Sequence, residues 1–286
     1  MKRFLIIIAA VALGVFALSA CGNKDNPQQE EEQQDMWDRM YPNGKEIKDL
    51  EIKSTAMKQT MRYSVWLPPK FKAENSYPIL YLLHGAGDTN NSWLENTTDM
   101  FGVHGGNAAA IAAKYVKANG VPMIIVMPDA QLTFYIGESR SYETFMFQEL
   151  MPKVESEYKF SGKRAVAGLS MGGFGTLYYA LTYPQKFTYA YAMSPATSIN
   201  WLGINVTMDQ MKEKAAALAN VNPHAGFTIE VGNQDTTVSN ADALVLSNAI
   251  NQVTPCEWIA RDGGHTWDFW RACLPKALQK AGESFK

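Results

Sequence analysis

Apolar strands alternate with amphipathic helices along most of the chain, and this alternation limits the possible folds more than any other feature. Residues 78–83 and 122–127 are continuous apolar runs that end at turn residues. Such runs are typical of strands that are covered on both faces. Strict alternation of strands and helices predicts an α/β fold, with a mostly parallel sheet of about eight strands and helices on both of its faces.

The positions of the elements follow from apolar periodicity and turn residues. A proline inside a helix lacks an N–H and clashes with the preceding turn, so the helix that contains Pro152 should bend there. No linker or repeat interrupts the pattern after residue 45, and residues 46–286 are therefore expected to form a single domain. Strands are predicted at 48–53, 60–67, 78–83, 122–127, 163–168, 187–193, 226–231 and 257–261, and helices at 107–118, 142–158, 171–183, 209–220, 240–253 and 268–281.

The composition excludes several classes of protein. The chain has 286 residues, of which 47% are apolar and 19% charged, so it is neither a disordered nor a collagen-like chain. Lys and Arg number 26 against 28 Asp and Glu. This balance provides no basic excess to neutralise phosphates, and we expect no nucleic-acid partner.

The first residues have the layout of an export signal. Lys2 and Arg3 precede an apolar stretch over residues 4–17, which ends in small residues. This layout predicts a signal peptide over residues 1–20. The run Leu-Ser-Ala-Cys at 18–21 resembles a bacterial lipobox, which implies lipidation of Cys21; the alternative is an ordinary cleaved signal. We therefore expect an exported, membrane-anchored lipoprotein, either periplasmic or on the cell surface.

A polar segment follows the predicted anchor. Residues 27–34 consist of proline, glutamine and glutamate alone, so they have no apolar side chain to bury. We interpret residues 21–45 as a flexible acidic tether between the lipidated cysteine and the folded domain.

Gly168, Ser170 and Gly172 form a Gly-x-Ser-x-Gly motif between a predicted strand and a predicted helix. On such a turn the serine has a strained backbone and projects its oxygen above the sheet, and larger residues in place of the glycines would collide with neighbouring elements. The helix N-terminus also points free N–H groups at the serine. The motif predicts Ser170 as a nucleophile; the alternative is a glycine-rich turn whose serine caps the helix.

A serine hydroxyl is a weak nucleophile until a base takes its proton. With a serine on this kind of turn, the chain order is serine, acid, histidine, and the histidine follows the last strand. Of the four histidines in the sequence, His265 alone meets this rule, since it comes directly after the strand predicted at 257–261. His84 ends an earlier strand, and we interpret it as a structural residue below the site.

The acid that orients the histidine should follow an earlier strand. Asp235 comes shortly after the strand predicted at 226–231 and before His265. Asp129 lies before the serine and fails the order, whereas Glu230 lies within the strand. Asp235 is therefore the predicted acid, and Asp262 is the alternative.

An oxyanion hole needs two backbone donors. The Met171 N–H, directly after the predicted nucleophile, supplies one of them. The second is expected from residues 84–87, which follow the strand predicted at 78–83. Within this loop the Ala86 N–H is the first candidate, and that of Gly85 is the next.

Cys256 and Cys273 lie on either side of His265 in the sequence. Their spacing does not suit a zinc site, and no cluster of ligand residues indicates a metal or another cofactor. The two thiols either pair in one disulfide or remain separately buried.

Taken together, these motifs resemble the putative-esterase (esterase D-like) family of α/β-hydrolases over residues 46–282. The C-terminal segment 263–271 is most similar to the feruloyl-esterase branch, whereas the acid loop 232–235 departs from the family's usual glycine, small polar residue, acidic residue and aspartate. The segments that carry the resemblance are Leu82-Leu83-His84-Gly85 with Trp93, Met127-Pro128-Asp129, Tyr142-Glu143-Thr144-Phe145, Glu149-Leu150-Met151-Pro152, Gly168-Leu169-Ser170-Met171-Gly172-Gly173 and Gly263-Gly264-His265.

The resemblance implies an α/β-hydrolase fold and a serine esterase that needs no metal or cofactor. Carried over to this sequence, it makes Ser170 the nucleophile, His265 the base and Asp235 the acid, with Met171 and Ala86 as oxyanion donors. The implied substrates are feruloyl or other acyl esters of plant polysaccharides such as xylan. A siderophore esterase or acyltransferase on the same scaffold, and a non-catalytic carbohydrate-binding lipoprotein, remain as alternatives.

Aromatic side chains on loops around the predicted site offer flat surfaces to a phenolic acid or a sugar. We expect substrate contacts from one or two of a small set. Its members are Trp93, Tyr135 and Trp267 first, followed by Phe134 and Trp270.

Overall fold

The computed structural model describes residues 27–100 and 102–286, which fall into two compact units, one ending at Met40 and the other over Tyr41–Lys286. In the first unit, Pro27–Met40 forms helix α1. A flexible tether was predicted over residues 21–45, but residues 27–40 of it are helical. The helix forms because glutamine and glutamate are good helix formers. The signal peptide predicted at 1–20 and the lipidation predicted at Cys21 lie outside the described residues. None of the described helices has the length and apolar character to cross a membrane.

Within the described part of the chain, the second unit contains an eight-stranded sheet. Its strands are β1 (Lys45–Ser54), β2 (Gln59–Leu67), β3 (Tyr77–Leu83), β4 (Ile124–Pro128), β5 (Phe160–Leu169), β6 (Tyr189–Met193), β7 (Gly226–Gly232) and β8 (Cys256–Arg261). Their order in the sheet is β1-β2-β4-β3-β5-β6-β7-β8. Strand β2 pairs antiparallel with both β1 and β4, and all the other pairs are parallel.

Helices cover both faces of the sheet. All residues of β3 are buried, because its alternate side chains meet helices on opposite sides. Helices α2 (Ala108–Lys117) and α8 (Trp267–Ser284) pack against one face, while α5 (Met171–Thr182) packs against β5 and β6. The mostly parallel α/β fold predicted from the alternation of elements is thereby confirmed.

The helix predicted at 142–158 is present but is not regular. It consists of α3 (Ser141–Thr144), a π-helical segment (Phe145–Leu150) and α4 (Met151–Glu157). The wider π turns lie directly before Pro152, where the proline ring would clash with the carbonyl one turn earlier in a regular helix. The predicted irregularity near Pro152 thus takes the form of a π segment.

Two short hairpins were not predicted from the sequence, since strands of three residues show no clear periodicity. One pairs Thr97–Asp99 with Gly102–His104, and the other pairs Ile199–Trp201 with Ile204–Val206. The second hairpin leads into α6 (Met208–Ala217). Helix α7 (Asn240–Asn251) lies between β7 and β8 in the chain.

Cys256 on β8 and Cys273 on α8 are free, buried thiols, so the alternative of separate thiols describes this structure. Burial raises the pKa of the Cys256 thiol to about 11 and that of Cys273 even further above its ordinary value.

The parallel strands place the functional loops at one edge of the sheet. Strands β3, β5, β7 and β8 run in the same direction, so their carboxyl ends meet at a common edge. The loops that follow them begin at His84, Ser170, Asn233 and Asp262. Ligand sites in open parallel sheets form at this edge.

Candidate active site

Ser170 lies on a tight turn between β5 and α5, with a φ of 53° that non-glycine residues rarely adopt. Its N–H donates to the Met193 carbonyl at 2.9 Å, and its own carbonyl accepts from the Phe174 N–H at 3.0 Å. A Cβ at Gly172 would lie 2.4 Å from the Leu83 carbonyl oxygen. The helix therefore approaches β3 closely only because residue 172 is glycine, and this approach keeps the serine at the edge of the sheet.

His265 and Asp235 complete a hydrogen-bonded chain with this serine. His265 Nε2 lies 2.9 Å from Ser170 Oγ, and His265 Nδ1 lies 2.7 Å from Asp235 Oδ2. The structure thus brings together the three side chains that the sequence order singled out. The alternative acid, Asp262, lies near the amide groups of Asn233 and Gln234 rather than the imidazole.

The environment of Asp235 favours its ionised form. Its side chain is fully buried, which by itself would raise the carboxyl pKa. Hydrogen bonds from His265 and from the backbone N–H groups of Thr237 and Val238 outweigh burial, so the pKa of Asp235 lies below its ordinary value. An ionised Asp235 accepts the Nδ1 proton of His265 and leaves the Nε2 lone pair facing Ser170, which is the arrangement of a general base and its nucleophile.

The loop after β3 offers a backbone donor next to Ser170. The Gly85 N–H is occupied, since it donates to Asp88 Oδ2 at 3.1 Å. The Gly85 carbonyl is held by the His84 imidazole, whose Nδ1 lies 2.7 Å away. In a trans peptide the N–H points opposite to the carbonyl, so the Ala86 N–H faces away from His84. Within the described part of the chain, the Ala86 N–H makes no hydrogen bond, in contrast to that of Gly85. The Met171 N–H makes none there either, so both predicted oxyanion donors are free to bind a ligand.

His84 links two loops from beneath the site. It is 1% exposed, and its Nε2 accepts from the Ala130 N–H at 2.8 Å while its Nδ1 faces the Gly85 carbonyl. These partners fix the tautomer with hydrogen on Nδ1. The position agrees with a structural role, because both ring nitrogens are occupied and neither faces Ser170.

Gln234 is a part of the site that the sequence analysis missed. Its N–H donates to the Gly263 carbonyl at 2.9 Å, and its side-chain Oε1 accepts from the Gly263 N–H at 2.6 Å. The Asn233 N–H adds a bond to the Arg261 carbonyl at 2.8 Å. These bonds join the loop that carries Asp235 to the loop that carries His265. The only signal in the sequence was the departure of the acid loop from the family pattern at residue 234.

The structure corrects two of the predicted substrate contacts. Trp93 and Tyr135 are both 0% exposed, so the expectation that they present flat surfaces at the rim is wrong. Trp93 Nε1 donates to the Leu83 carbonyl at 3.0 Å, and the Tyr135 hydroxyl donates to the His84 carbonyl at 2.9 Å. Both rings therefore support the loop after β3 from below.

The other aromatic candidates lie nearer the surface or the triad. Trp267 is half-buried and contacts Trp93 and Trp270 edge-on. Trp270 is buried and packs edge-on against the His265 ring at 4.9 Å. Phe134 is half-buried and contacts Phe174, one turn after Ser170 on α5. Trp267 and Phe134 thus keep some exposed surface.

In residues 27–100 and 102–286, no group of three or more His, Cys, Asp or Glu side chains is arranged to hold a metal ion.

A mostly parallel sheet with a serine on the turn after its central strand and a histidine after its last strand defines an α/β-hydrolase. Residues 54–281 match the family described as Putative esterase, and the chain belongs to this family.

This chain is similar both to known enzymes and to solved structures. The chain is 34% identical over 148 residues to an esterase of Mycobacterium tuberculosis and 30% identical over 134 residues to an endo-1,4-beta-xylanase/feruloyl esterase of Xylanibacter ruminicola. These matches cover 48% and 43% of this chain but only 29% and 17% of the two relatives. A solved ferulic acid esterase superposes with a TM-score of 0.72 at 28% identity, covering 85% of this chain and 99% of its own.

We predict that the stabilising effect of Asp235 depends on pH. The folded-state pKa lies below the ordinary value of 3.8, so the ionised carboxylate stabilises the fold above that pH. As the pH falls from there through the folded-state pKa, this stabilisation is lost. Urea unfolding of wild type and Asp235→Asn between pH 6 and pH 3 should give a difference in unfolding free energy that shrinks as the pH falls. If the difference in unfolding free energy stayed constant over this pH range, the pKa of Asp235 would not be lowered by its surroundings in the folded state.

The link between the acid and histidine loops can be tested at Gln234. Gln234→Ala leaves the Gly263 N–H without its acceptor, and one such hydrogen bond is worth about 0.5–1.5 kcal/mol. If the bond positions His265, hydrolysis of a short aryl ester should slow by about 3- to 10-fold, mainly in kcat. Asn233→Ala is the matched control, since the Asn233 side chain contacts Asp262 at 3.5 Å. If both substitutions lowered kcat equally, Gln234 would not be a residue that positions His265.

Proposed function

We propose that the chain is a serine esterase in which Ser170 is the nucleophile, His265 the general base and Asp235 the residue that orients it. The observation that supports this most directly is the hydrogen-bonded chain from Asp235 through His265 to Ser170, at 2.7 and 2.9 Å. Membership of the esterase family agrees with it. An ester bond is the kind of bond that an activated serine of this geometry attacks.

The proposed reaction has two steps. In the first, Ser170 Oγ bonds to the acyl carbon while His265 Nε2 takes its proton, and the resulting oxyanion accepts hydrogen bonds from the Met171 and Ala86 N–H groups. The bond to the alcohol then breaks, and His265 gives the proton to the departing oxygen. In the second step water attacks the acyl-enzyme by the same route and releases the acid. Asp235 stabilises the imidazolium that forms in each step.

For the substrate, we propose a feruloyl or related acyl ester of a plant polysaccharide such as xylan. Two similarities support this: the ferulic acid esterase, which matches over 85% of this chain, and the relative from Xylanibacter ruminicola, whose name joins xylanase and feruloyl esterase. The partly exposed rings of Trp267 and Phe134 would suit a flat phenolic group.

For the location, we propose export and anchoring through a lipid on Cys21. The support comes from the sequence: a basic start, an apolar stretch and Leu-Ser-Ala-Cys at 18–21. The polar residues that follow provide a spacer before the domain. An anchored esterase of this kind would act on substrates outside the inner membrane.

The substrate proposal is tested with a panel of esters. Wild type should release free acid from methyl ferulate faster than from a siderophore ester, and Ser170→Ala should lower turnover of every substrate by about 10⁶-fold. Ser247→Ala, at a buried serine beside Cys256, is the control and should retain activity. Acetylated xylan and a short aryl ester complete the panel, and an added alcohol distinguishes transfer from hydrolysis.

Each result has a separate meaning. Turnover that is unaffected by Ser170→Ala would refute the nucleophile. Brisk release of acetate without release of ferulate would refute only the feruloyl preference.

The anchor is tested by expressing the chain in a Gram-negative host with radiolabelled palmitate. Wild type should incorporate label and sediment with membranes, whereas Cys21→Ser should do neither. Cys256→Ser, which leaves the predicted lipobox intact, is the control and should still be labelled. Labelling of Cys21→Ser would contradict the proposed anchor.

A further inference from the structure

A cavity of about 640 Å³ lies apart from the triad. Its walls come from the loop after β4, the middle of α5, the hairpin before α6 and α6 itself, and Ser170, Asp235 and His265 are not among its lining residues. Tyr178, which lines it, is eight residues beyond Ser170 on α5. At the rise of an α-helix this separation is about 12 Å.

The surface of this cavity combines apolar and polar groups. Ile136, Ile204 and Val206 line it but are only 5–9% exposed. The exposed lining residues include Gly203 and Ala217 as well as side chains with hydroxyl, amide and charged groups. These polar side chains are Ser139, Arg140, Asn205, Gln210 and Glu213. Such a mixed lining suits a ligand that carries several hydrogen-bonding groups on an apolar frame.

Arg140 is one of two cations in the cavity, and it is partly neutralised. Glu143, which is 3% exposed, accepts hydrogen bonds from Arg140 Nε at 2.7 Å and from Nη2. The hydroxyl groups of Tyr178 and Tyr183 also donate to Glu143. The Glu143 carboxylate is therefore fully engaged, while Arg140 Nη1 makes no hydrogen bond in the part of the chain that is described.

Lys214, the second cation, has no such partner. Its Nζ lies 5.2 Å from the centre of the Tyr178 ring and forms no ion pair with any described carboxylate. Burial and then repulsion from Arg140 lower the pKa of Lys214, and Glu143 offsets this only in part. Its neighbour Lys212 on the same helix is paired with Asp209 at 2.7 Å. An anion placed between Lys214 and Arg140 would relieve the repulsion between them.

We propose that this cavity binds an acidic saccharide, with a ring carboxylate between Lys214 and Arg140 and its hydroxyl groups on Asn205 and Gln210. A carboxylate suits a guanidinium nitrogen and an ammonium group. The Asn205 amide both donates to and accepts from sugar hydroxyl groups, whereas Gln210, whose Oε1 accepts from the Thr207 N–H at 2.9 Å, offers its Nε2 as a donor. The cavity volume also exceeds what a simple inorganic anion fills. This binding is separate from the proposed ester hydrolysis and does not depend on it.

The test uses probes without an ester bond, so catalysis does not interfere. Binding of a xylo-oligosaccharide that carries a glucuronic acid residue is compared with that of the unsubstituted oligosaccharide by isothermal titration calorimetry. The acidic probe should bind about tenfold more tightly or better, a ratio that corresponds to one charge-assisted hydrogen bond. Ser170→Ala should bind both probes as the wild type does.

Substitutions on α6 distinguish this site from a general attraction of anions. Lys214→Met should abolish the preference for the acidic probe, and Lys214→Arg should keep it. Lys212→Met, which removes a charge from the same helix outside the cavity, should also keep it. Thermal unfolding of each variant verifies that the fold is intact, and turnover of a short aryl ester should be unchanged in Lys214→Met.

Several results would overturn the proposal. These are equal binding of the two oligosaccharides, equal losses in Lys214→Met and Lys212→Met, or binding of sulfate as tight as that of the acidic probe.

Discussion

The strained backbone of Ser170 is the constraint on which the rest of the site depends. A non-glycine residue with positive φ costs about 1–3 kcal/mol, so the surrounding structure must compensate for it. The Ser170 N–H is held by the Met193 carbonyl, and the Ser170 carbonyl accepts from the N–H groups of Phe174 and Ala196. At about 0.5–1.5 kcal/mol each, these hydrogen bonds are together sufficient to offset the strain. Strand β6 and helix α5 therefore fix the serine before any ligand arrives.

The other two side chains are fixed by bonds between their loops. A Cβ at Gly232 would lie 2.2 Å from the Gly263 carbonyl oxygen, which shows how closely the acid loop approaches the histidine loop. Gln234 then bonds to Gly263 through both its backbone and its side chain. Asp235 and His265 are thus oriented by the paired acid and histidine loops, which meet the serine turn through the hydrogen bond between His265 and Ser170.

Much of this arrangement could be predicted from the sequence. The continuous apolar run at 78–83 predicted a strand that is buried on both faces, and the order of Ser170, Asp235 and His265 predicted that they would meet, because each follows a strand of one parallel sheet. Periodicity could not find the three-residue hairpins, nor could it show that Trp93 and Tyr135 face inward. The side-chain direction of a loop residue depends on contacts far away in the chain, here with Leu83 and His84.

The two buried thiols have a further consequence. Cys256 and Cys273 lie on the elements that precede and follow the histidine loop, and burial raises the pKa of both. Alkylating reagents attack thiolates, so these buried thiols should react mainly in conformations in which β8 or α8 opens locally. The rate of alkylation is therefore a measure of local opening of β8 and α8, the elements on either side of the histidine loop, obtained from native residues and without an attached probe.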